Sequence, residues 1–106
     1  MSEQLQIIRP HGRLDNATSQ ALEREALGVI DGGARKLLMD LADLDYISSA
    51  GLRVALTIAK RMKATGGQLG FCGLTPAVAE VFEISGVDSI LQIHRDAETA
   101  AAALSG

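Results

Sequence analysis

Residues 36–52 carry the clearest structural signal in the chain and read KLLMDLADLDYISSAGL. The first six residues are nearly continuous in apolar side chains, which indicates a strand buried on both faces of a sheet. After a short loop, apolar residues recur at intervals of three and four, as in an amphipathic helix. These recurring residues are Leu52, Ala55, Leu56, Ala59 and Met62. The segment predicts a central strand, a loop and a helix that begins at Ser48 or Ser49.

Strand and helix signals continue to alternate on both sides of this segment. The expected strands are 5–9, 13–14, 36–41, 68–72 and 90–94. The expected helices run from Asp15 or Asn16 to Gly32, from Ser48 or Ser49 to Gly66, from Pro76 after a capping Thr75 to Gly86, and from Asp96 to Leu104. Because helices separate the strands, the connections are right-handed crossovers and the sheet is mostly parallel, with a hairpin of the first two strands as an antiparallel edge.

The predicted fold class is therefore α/β, with a mixed, mostly parallel sheet of about five strands and about four helices. The chain of 106 residues has the length of one compact domain, and we expect a single domain over residues 1–106. Aromatic residues make up 3% of the sequence, so the core must be filled by Leu, Ile, Val and Ala. Its only large rings are expected to be Tyr46, Phe71 and Phe82.

Charge and composition narrow the classes of partner. The net charge of −3 argues against a nucleic-acid surface, which needs a surplus of Lys and Arg on one face, and favours a protein partner. The apolar stretches fall far short of the ~20 residues needed to span a membrane, and the polar, acidic N-terminus shows no secretory signal. Cys72 is the single cysteine and has no partner for an internal disulfide, which suits a reducing cytosol. We expect a cytoplasmic protein.

Few residues suggest catalysis or metal binding. His11 and His94 lie far apart in sequence without a carboxylate motif near either, so we expect surface or strand-end positions for both. Cys72 falls on a presumed buried strand and is expected to be a small core residue. The acidic residues around the central strand are expected to form a solvated loop rather than a magnesium or phospho-acceptor site: Asp40, Asp43 and Asp45. The sequence displays no convergent titratable pocket, and we expect no enzymatic activity.

Ser48 and Ser49 occupy the position where open α/β sheets place ligand chemistry, beyond the carboxyl ends of the strands. One interpretation is structural: a serine here caps the helix, worth about 1 kcal/mol, and Gly51 allows close packing. The other is regulatory, because a phosphate at a helix N-terminus is compatible with the fold but repels a partner packed over it beside Asp43 and Asp45. Taken alone, these residues favour the structural interpretation.

A resemblance along the whole chain favours the regulatory interpretation. The segments that carry it are Asp40–Leu52, Gly12–Asp15 with Thr18, Gly66–Gly67 and Thr75–Val78. Together they resemble the landmarks of STAS domains, specifically of bacterial anti-sigma factor antagonists. Alignment on Gly51 places the family's phosphorylated serine on Ser49. The family's preceding Asp is replaced by Ser48 and its following Ser by Ala50, which leaves Ser48 as a second possible acceptor.

The resemblance implies a partner-switching protein that works without a cofactor of its own. The unmodified chain would bind an anti-sigma factor that is also a serine kinase of the GHKL ATPase type, and so free the client sigma factor. Phosphorylation of Ser49 would end this binding, and a PP2C-like phosphatase would restore it, while ATP belongs to the kinase. The implied partner-binding residues are Asp15, Asp43, Asp45, Tyr46, Ser48, Ser49, Ala50, Gly51, Leu52 and Arg53.

Two alternatives stay open at this point. In the first, the chain is a constitutive interaction or scaffold subunit of the same fold, in a signalling or lipid-transport assembly, and Ser49 only caps its helix. In the second, it is a small enzyme, which loss of turnover in His94→Ala would support. The sequence identifies neither the client sigma factor nor the output pathway, and it does not choose between a monomer and a weak dimer.

Overall fold

The structure, a computed structural model, describes residues 4–105. Within this range helices and strands alternate. The elements are β1 (Leu5–Ile8), β2 (Gly12–Leu14), α1 (Asn16–Asp31), β3 (Lys36–Asp40), β4 (Leu44–Ile47), α2 (Ser49–Ala64), β5 (Gln68–Cys72), α3 (Pro76–Ser85), a 3-10 turn (Val87–Ser89), β6 (Ile93–His94) and α4 (Ala97–Ser105). None of these helices is both long and apolar enough to span a bilayer.

The strands form two parallel sheets. The larger sheet has the order β1-β3-β5-β6, and the smaller one consists of β2 and β4. β3 is central, and four of its five residues are buried, as its continuous apolar sequence predicts. In its register with β5, Lys36 lies opposite Gln68 and Asp40 opposite Cys72. The α/β class and the mostly parallel sheet are confirmed.

The expected antiparallel hairpin is wrong. β1 and β2 do not pair with each other: β1 pairs with β3, and β2 pairs in parallel with β4, a strand that the sequence analysis assigned to a loop. β4 escapes sequence reasoning because its two buried ends, Leu44 and Ile47, enclose two exposed residues and match neither strand pattern. Gly12, with a φ of +75°, turns the chain into β2, and its N–H donates to the Asp43 carbonyl at 3.0 Å.

The core lies in two clusters of apolar side chains. The larger cluster draws on α1, α2 and α3 and contains Phe71 and Phe82, whose rings meet edge to face at 6.2 Å. The smaller cluster, Leu38, Cys72, Ala100 and Leu104, lies under α4. The aliphatic core is as expected, but Tyr46 does not belong to it. Its side chain is 42% exposed, on the outer face of β4, with the Arg13 guanidinium 4.9 Å from the ring centre.

The buried face of α2 is rotated from the predicted one. Its buried residues are Gly51, Val54, Ala55, Ile58 and Met62. The predicted Leu52, Leu56 and Ala59 are only half-buried and pack at the edge of the larger cluster. The difference arises because α2 packs on α1 as well as on the sheet, so that Val54 and Ile58 are covered and Leu52, Leu56 and Ala59 lie at the edge of the buried stripe.

Two further expectations about local structure fail. Thr75 is the N-cap residue of α3, as predicted, but its hydroxyl makes no capping hydrogen bond: it donates instead to the carbonyl of Leu44 at 2.9 Å, which ties the start of α3 to β4. The last strand is shorter than expected, because residues 87–89 form a 3-10 turn and only Ile93–His94 pairs with β5. Both differences depend on contacts between segments distant in sequence.

Candidate functional site

The candidate site lies where the two short strands end and α2 begins. Leu14 of β2 and Ile47 of β4 are register partners, so the residues that follow them, Asp15 and Ser48, leave the small sheet side by side. The backbone confirms this proximity, since the N–H of Ser48 donates to the carbonyl of Leu14 at 2.9 Å. The smaller sheet therefore brings the N-terminus of α1 beside the N-terminus of α2.

Ser48 is the N-cap of α2. Its backbone is extended, with φ −91° and ψ 175°, and its hydroxyl oxygen accepts a hydrogen bond from the N–H of Gly51 at 3.3 Å. Its carbonyl accepts the first helical hydrogen bond, from Leu52, at 3.0 Å. Ser48 is half-buried and its hydroxyl has a structural role.

Ser49 occupies the next position, the first residue of α2, and differs from Ser48 in every respect that matters for modification. Its side chain is exposed, and its hydroxyl makes no hydrogen bond to the part of the chain that the structure describes. The capping interaction that the sequence allowed for either serine thus belongs to Ser48. The Ser49 hydroxyl is open to solvent at the N-terminus of a sixteen-residue helix.

Gly51 explains how close the helix start comes to the small sheet. A Cβ atom at this position would lie 2.6 Å from Cγ1 of Ile47 and 3.0 Å from Cβ of Leu14. Both neighbours are buried, so neither has space to withdraw. The absence of a side chain at residue 51 therefore lets α2 begin directly on the ends of β2 and β4.

Charged side chains lie on the elements that meet at the exposed serine. Asp43, before β4, and Asp45, within it, are exposed, as expected, but Asp43 lies at the opposite end of β4 from Ser49, where its carbonyl accepts from the N–H of Gly12. Arg53 is exposed one helical turn after Ser49. Asp15 caps α1: its carboxylate accepts from the N–H of Thr18 at 3.0 Å. The hydrogen bonds from the backbone and hydroxyl of Thr18 hold the pKa of Asp15 below its ordinary value.

Sequence reasoning missed the part of the site contributed by α1. A polar groove of about 410 Å³ runs between the two helices. Its walls are Asn16, Ser19, Gln20 and Glu23 from α1 and Ala50, Arg53, Val54 and Thr57 from α2. Ser19 is 1% exposed and its hydroxyl has no hydrogen-bond partner. The helical spacing of the α1 residues is visible in the sequence, but the pairing of α1 with α2 is not.

The acidic loop is smaller than expected. Asp43 and Asp45 are solvated, but Asp40 is 7% exposed, accepts from Nε of Arg9 at 2.9 Å and accepts from the N–H of Ala42 at 3.1 Å. The interpretation of Asp40 as a solvated carboxylate is therefore wrong. The cause is the ion pair with Arg9, which follows β1, a neighbour of β3 in the sheet.

The remaining candidates have structural positions. Cys72 is fully buried, as predicted, and burial together with the nearby Asp40 carboxylate raises the pKa of its thiol to about 11. His11 is exposed before β2, and His94 is half-buried at the end of β6. Across residues 4–105, no group of three or more His, Cys, Asp or Glu side chains is placed to hold a metal ion.

Comparison with known proteins points to one group. Residues 2–100 match the family model described as STAS domain. BtrV of Bordetella bronchiseptica, which carries the name of an anti-sigma factor antagonist, is 48% identical over 92 residues, covering 87% of this chain and 79% of BtrV.

Solved structures share the fold at low identity. A crystal structure from Thermotoga maritima, also described as an anti-sigma factor antagonist, has a TM-score of 0.89 at 21% identity, covering 94% of this chain and 86% of that one. The Bacillus cell fate determinant SpoIIAA in its phosphorylated form has a TM-score of 0.72 at 17% identity, covering 96% and 93%.

Proposed function

The chain belongs to the STAS domain family, and from this membership we propose that it is an anti-sigma factor antagonist switched by phosphorylation of Ser49. The name of BtrV supports the first half of the proposal. One observation carries the second half: the hydroxyl of Ser49 is exposed and unbonded, while the adjacent Ser48 caps the helix. The only serine of the pair whose modification leaves the cap intact is Ser49.

The unmodified protein binds an anti-sigma factor that is a serine kinase of the GHKL ATPase type, and this binding releases the client sigma factor. The partner covers the start of α2 and the exposed face of β4. The contact residues are Asp15, Asp43, Asp45, Tyr46, Ser48, Ser49, Ala50, Leu52 and Arg53. Gly51, which is buried against Ile47 and Leu14, takes part only by letting α2 begin there. This surface carries an aromatic ring, a cation, three carboxylates and one exposed hydroxyl, and the protein acts in the cytoplasm without a cofactor.

Phosphorylation changes the charge at this surface without disturbing the fold. A phosphoserine adds about −1.5 to −2 charges, and the free N–H groups and positive dipole end of α2 favour an anion at its first residue. A partner packed over Ser49 meets a new dianion on a surface that already carries the carboxylates of Asp15, Asp43 and Asp45, and it loses affinity. A loss of about 2.7 kcal/mol weakens the complex a hundredfold, and one unpaired buried charge costs that much or more. A PP2C-like phosphatase reverses the change.

Ser48 is the weaker acceptor. Its hydroxyl oxygen accepts the N–H of Gly51, and a phosphate there would have to replace this cap within a half-buried environment. The replacement costs about the value of the cap, near 1 kcal/mol, before any contact with a kinase is made. A kinase that reaches the start of α2 therefore modifies Ser49 first.

The test uses the cognate kinase with ATP and two matched variants, Ser49→Ala and Ser48→Ala. We expect one phosphate on the wild type and on Ser48→Ala, mapped to residue 49 by peptide mass spectrometry, and none on Ser49→Ala. Equal labelling of Ser49→Ala and wild type, with Ser48 unlabelled, would refute the assignment.

The switch is tested separately by partner binding. We expect Ser49→Asp to bind the kinase far more weakly than the wild type, and Ser49→Ala to bind it as the wild type does, because alanine removes the acceptor without adding charge. Undiminished binding of Ser49→Asp and of the phosphorylated protein would favour the constitutive scaffold instead.

A further inference from the structure

A second groove lies at the other end of α2, away from Ser49. It has a volume of about 490 Å³ and is bounded by the C-terminal half of α2, the start of β5 and residues 90–92. An α-helix rises 1.5 Å per residue, so Lys60 lies about 16 Å along α2 from Ser49. A small molecule in this groove leaves the Ser49 hydroxyl uncovered.

The groove exists because β6 is short. β6 pairs with β5 at Phe71 and Cys72, and the N–H of Phe71 donates to the carbonyl of Gln92 at 2.8 Å. Upstream of that bond the chain passes into the 3-10 turn of residues 87–89 instead of continuing along β5. Leu69, two residues before Phe71, therefore lines open space instead of packing under another strand.

The lining of the groove is mostly apolar. Its accessible apolar residues are Leu56, Ala59, Leu69 and Ile90, and the core residues Met62, Phe71 and Leu91, which are buried, complete its walls. The side chain of Ile90 is 70% exposed, so covering it with an apolar ligand would remove apolar surface from water and favour binding. A concave surface of this kind and size lies within the range of small-molecule sites, about 300–1,000 Å³.

The charged residues that line the groove are all positive. Lys60 and Lys63 lie three residues apart, on the same side of the helix, and no Asp or Glu of residues 4–105 lines the groove. Both lysines are exposed, and neither forms an ion pair with another described residue. Arg61, between them, pairs with Asp31 at 2.7 Å. The whole chain carries a net charge of −3, so the positive charge of this groove is opposite in sign to that of the chain.

From an apolar floor beside two unpaired ammonium groups, we propose that the groove binds an anionic amphiphile with a single alkyl chain, such as a medium-chain fatty acid. The chain packs on Leu56, Leu69 and Ile90, and the carboxylate pairs with Lys60 and Lys63. The favourable field at a helix C-terminus accounts for cations in the last turns, but it does not account for the open apolar surface next to them. This site does not depend on phosphorylation of Ser49.

The first measurement locates and ranks binding. Dodecanoate and dodecyltrimethylammonium, which share chain length and differ in charge, are titrated below their micelle concentrations into protein labelled with ¹⁵N. We expect saturable amide shifts in residues 56–63, 67–71 and 90–92, and tighter binding of dodecanoate. Shortening dodecanoate by two methylenes should weaken binding by roughly four- to sixteenfold, for half to full burial of each methylene. Shifts that do not saturate, or equal affinity for both amphiphiles, would overturn the proposal.

The second measurement separates the cations from the apolar floor. We expect Lys60→Gln/Lys63→Gln to bind dodecanoate roughly five- to tenfold more weakly, and the cationic amphiphile no more weakly than the wild type does. The control Arg24→Gln/Arg95→Gln removes the same charge outside the groove and should leave both affinities unchanged. Ile90→Asn, at an exposed position that the fold tolerates, should weaken both amphiphiles. Wild-type affinity for dodecanoate in the double lysine variant would refute the site.

Discussion

At the scale of single residues, two adjacent serines have separate physical roles. Ser48 has an extended backbone, and its hydroxyl oxygen accepts a hydrogen bond from the N–H of Gly51. Ser49 is already helical, and its side chain is exposed. The pattern of a polar residue before an apolar repeat located the helix start to within one residue, but it did not decide which serine caps. Which serine caps the helix depends on where β4 ends. The N–H of Ser48 donates to the carbonyl of Leu14, so Ser48 still belongs to the sheet and the helix begins after it.

The two roles predict different effects on stability. We expect Ser48→Ala to lower the free energy of unfolding by about 1 kcal/mol, since the N–H of Gly51 loses its partner. Ser49→Ala should change it by less than about 0.5 kcal/mol, because an exposed, unbonded hydroxyl contributes little. Urea unfolding of both variants checks this, and a larger loss in Ser49→Ala than in Ser48→Ala would contradict the assignment of the cap.

At the scale of elements, sequence reasoning succeeded where a segment is governed by its own pattern. The buried run of β3, the glycine that ends α3 and the five residues of β5 lie where the sequence places them. It failed at β4 and at residues 90–92, where the conformation depends on a partner distant in the chain. The same limit applied to the candidate site: the sequence predicts an exposed Ser49 at the start of α2, where the structure has it, whereas it does not predict the α1 wall of the polar groove.

The contact between α3 and β4 gives a prediction at this scale. Thr75→Val keeps the side-chain shape but removes the hydroxyl that donates to Leu44, and we expect a loss of about 1 kcal/mol in the free energy of unfolding. Hydrogen exchange of the β4 amides should accelerate more than that of the β3 amides.

Thr57→Val is the matched control for this change. The hydroxyl of Thr57 donates to the carbonyl of Arg53 within the same helix, so its removal breaks no contact between elements. We expect a change of less than about 0.5 kcal/mol. Equal losses in the two variants would show that the hydroxyl of Thr75 does not join α3 to β4.

At the scale of the whole molecule, helices cover the larger sheet on both faces. The cluster with Phe71 and Phe82 lies on the face of α1, α2 and α3, where the serine site is, and the cluster with Cys72 lies under α4. Cys72 is the one thiol of the chain and is fully buried, so its ionisation is coupled to global unfolding. On the face of the sheet away from the proposed partner, ionisation of the Cys72 thiol is therefore a measure of unfolding.

This coupling predicts a loss of stability at alkaline pH. The folded state raises the pKa of Cys72 from 9.0 to about 11, so the folded protein holds this proton more tightly than the unfolded chain does. The resulting stabilisation is fully present below pH 9 and is lost as the pH rises through about 11. Relative to Cys72→Ala, the wild type should lose about 2 kcal/mol between pH 8 and pH 11 in urea unfolding. A stability difference that stays constant over this range would contradict the raised pKa.

In each of the four strand pairs that the structure describes, at least one helix lies between the two strands in the sequence. None of these pairs is a hairpin closed by a tight turn. Pairing β1 with β3 closes a loop of about thirty residues, and pairing β3 with β5 closes another. The chain therefore loses a large conformational entropy in closing each loop before the strand hydrogen bonds can stabilise it. We therefore expect the sheet to assemble late and all at once, more slowly than a helical bundle of the same length. On the ribosome, β3 acquires its second neighbour only after Cys72 has emerged, so the larger sheet is completed after the residues around Ser49 have been synthesised.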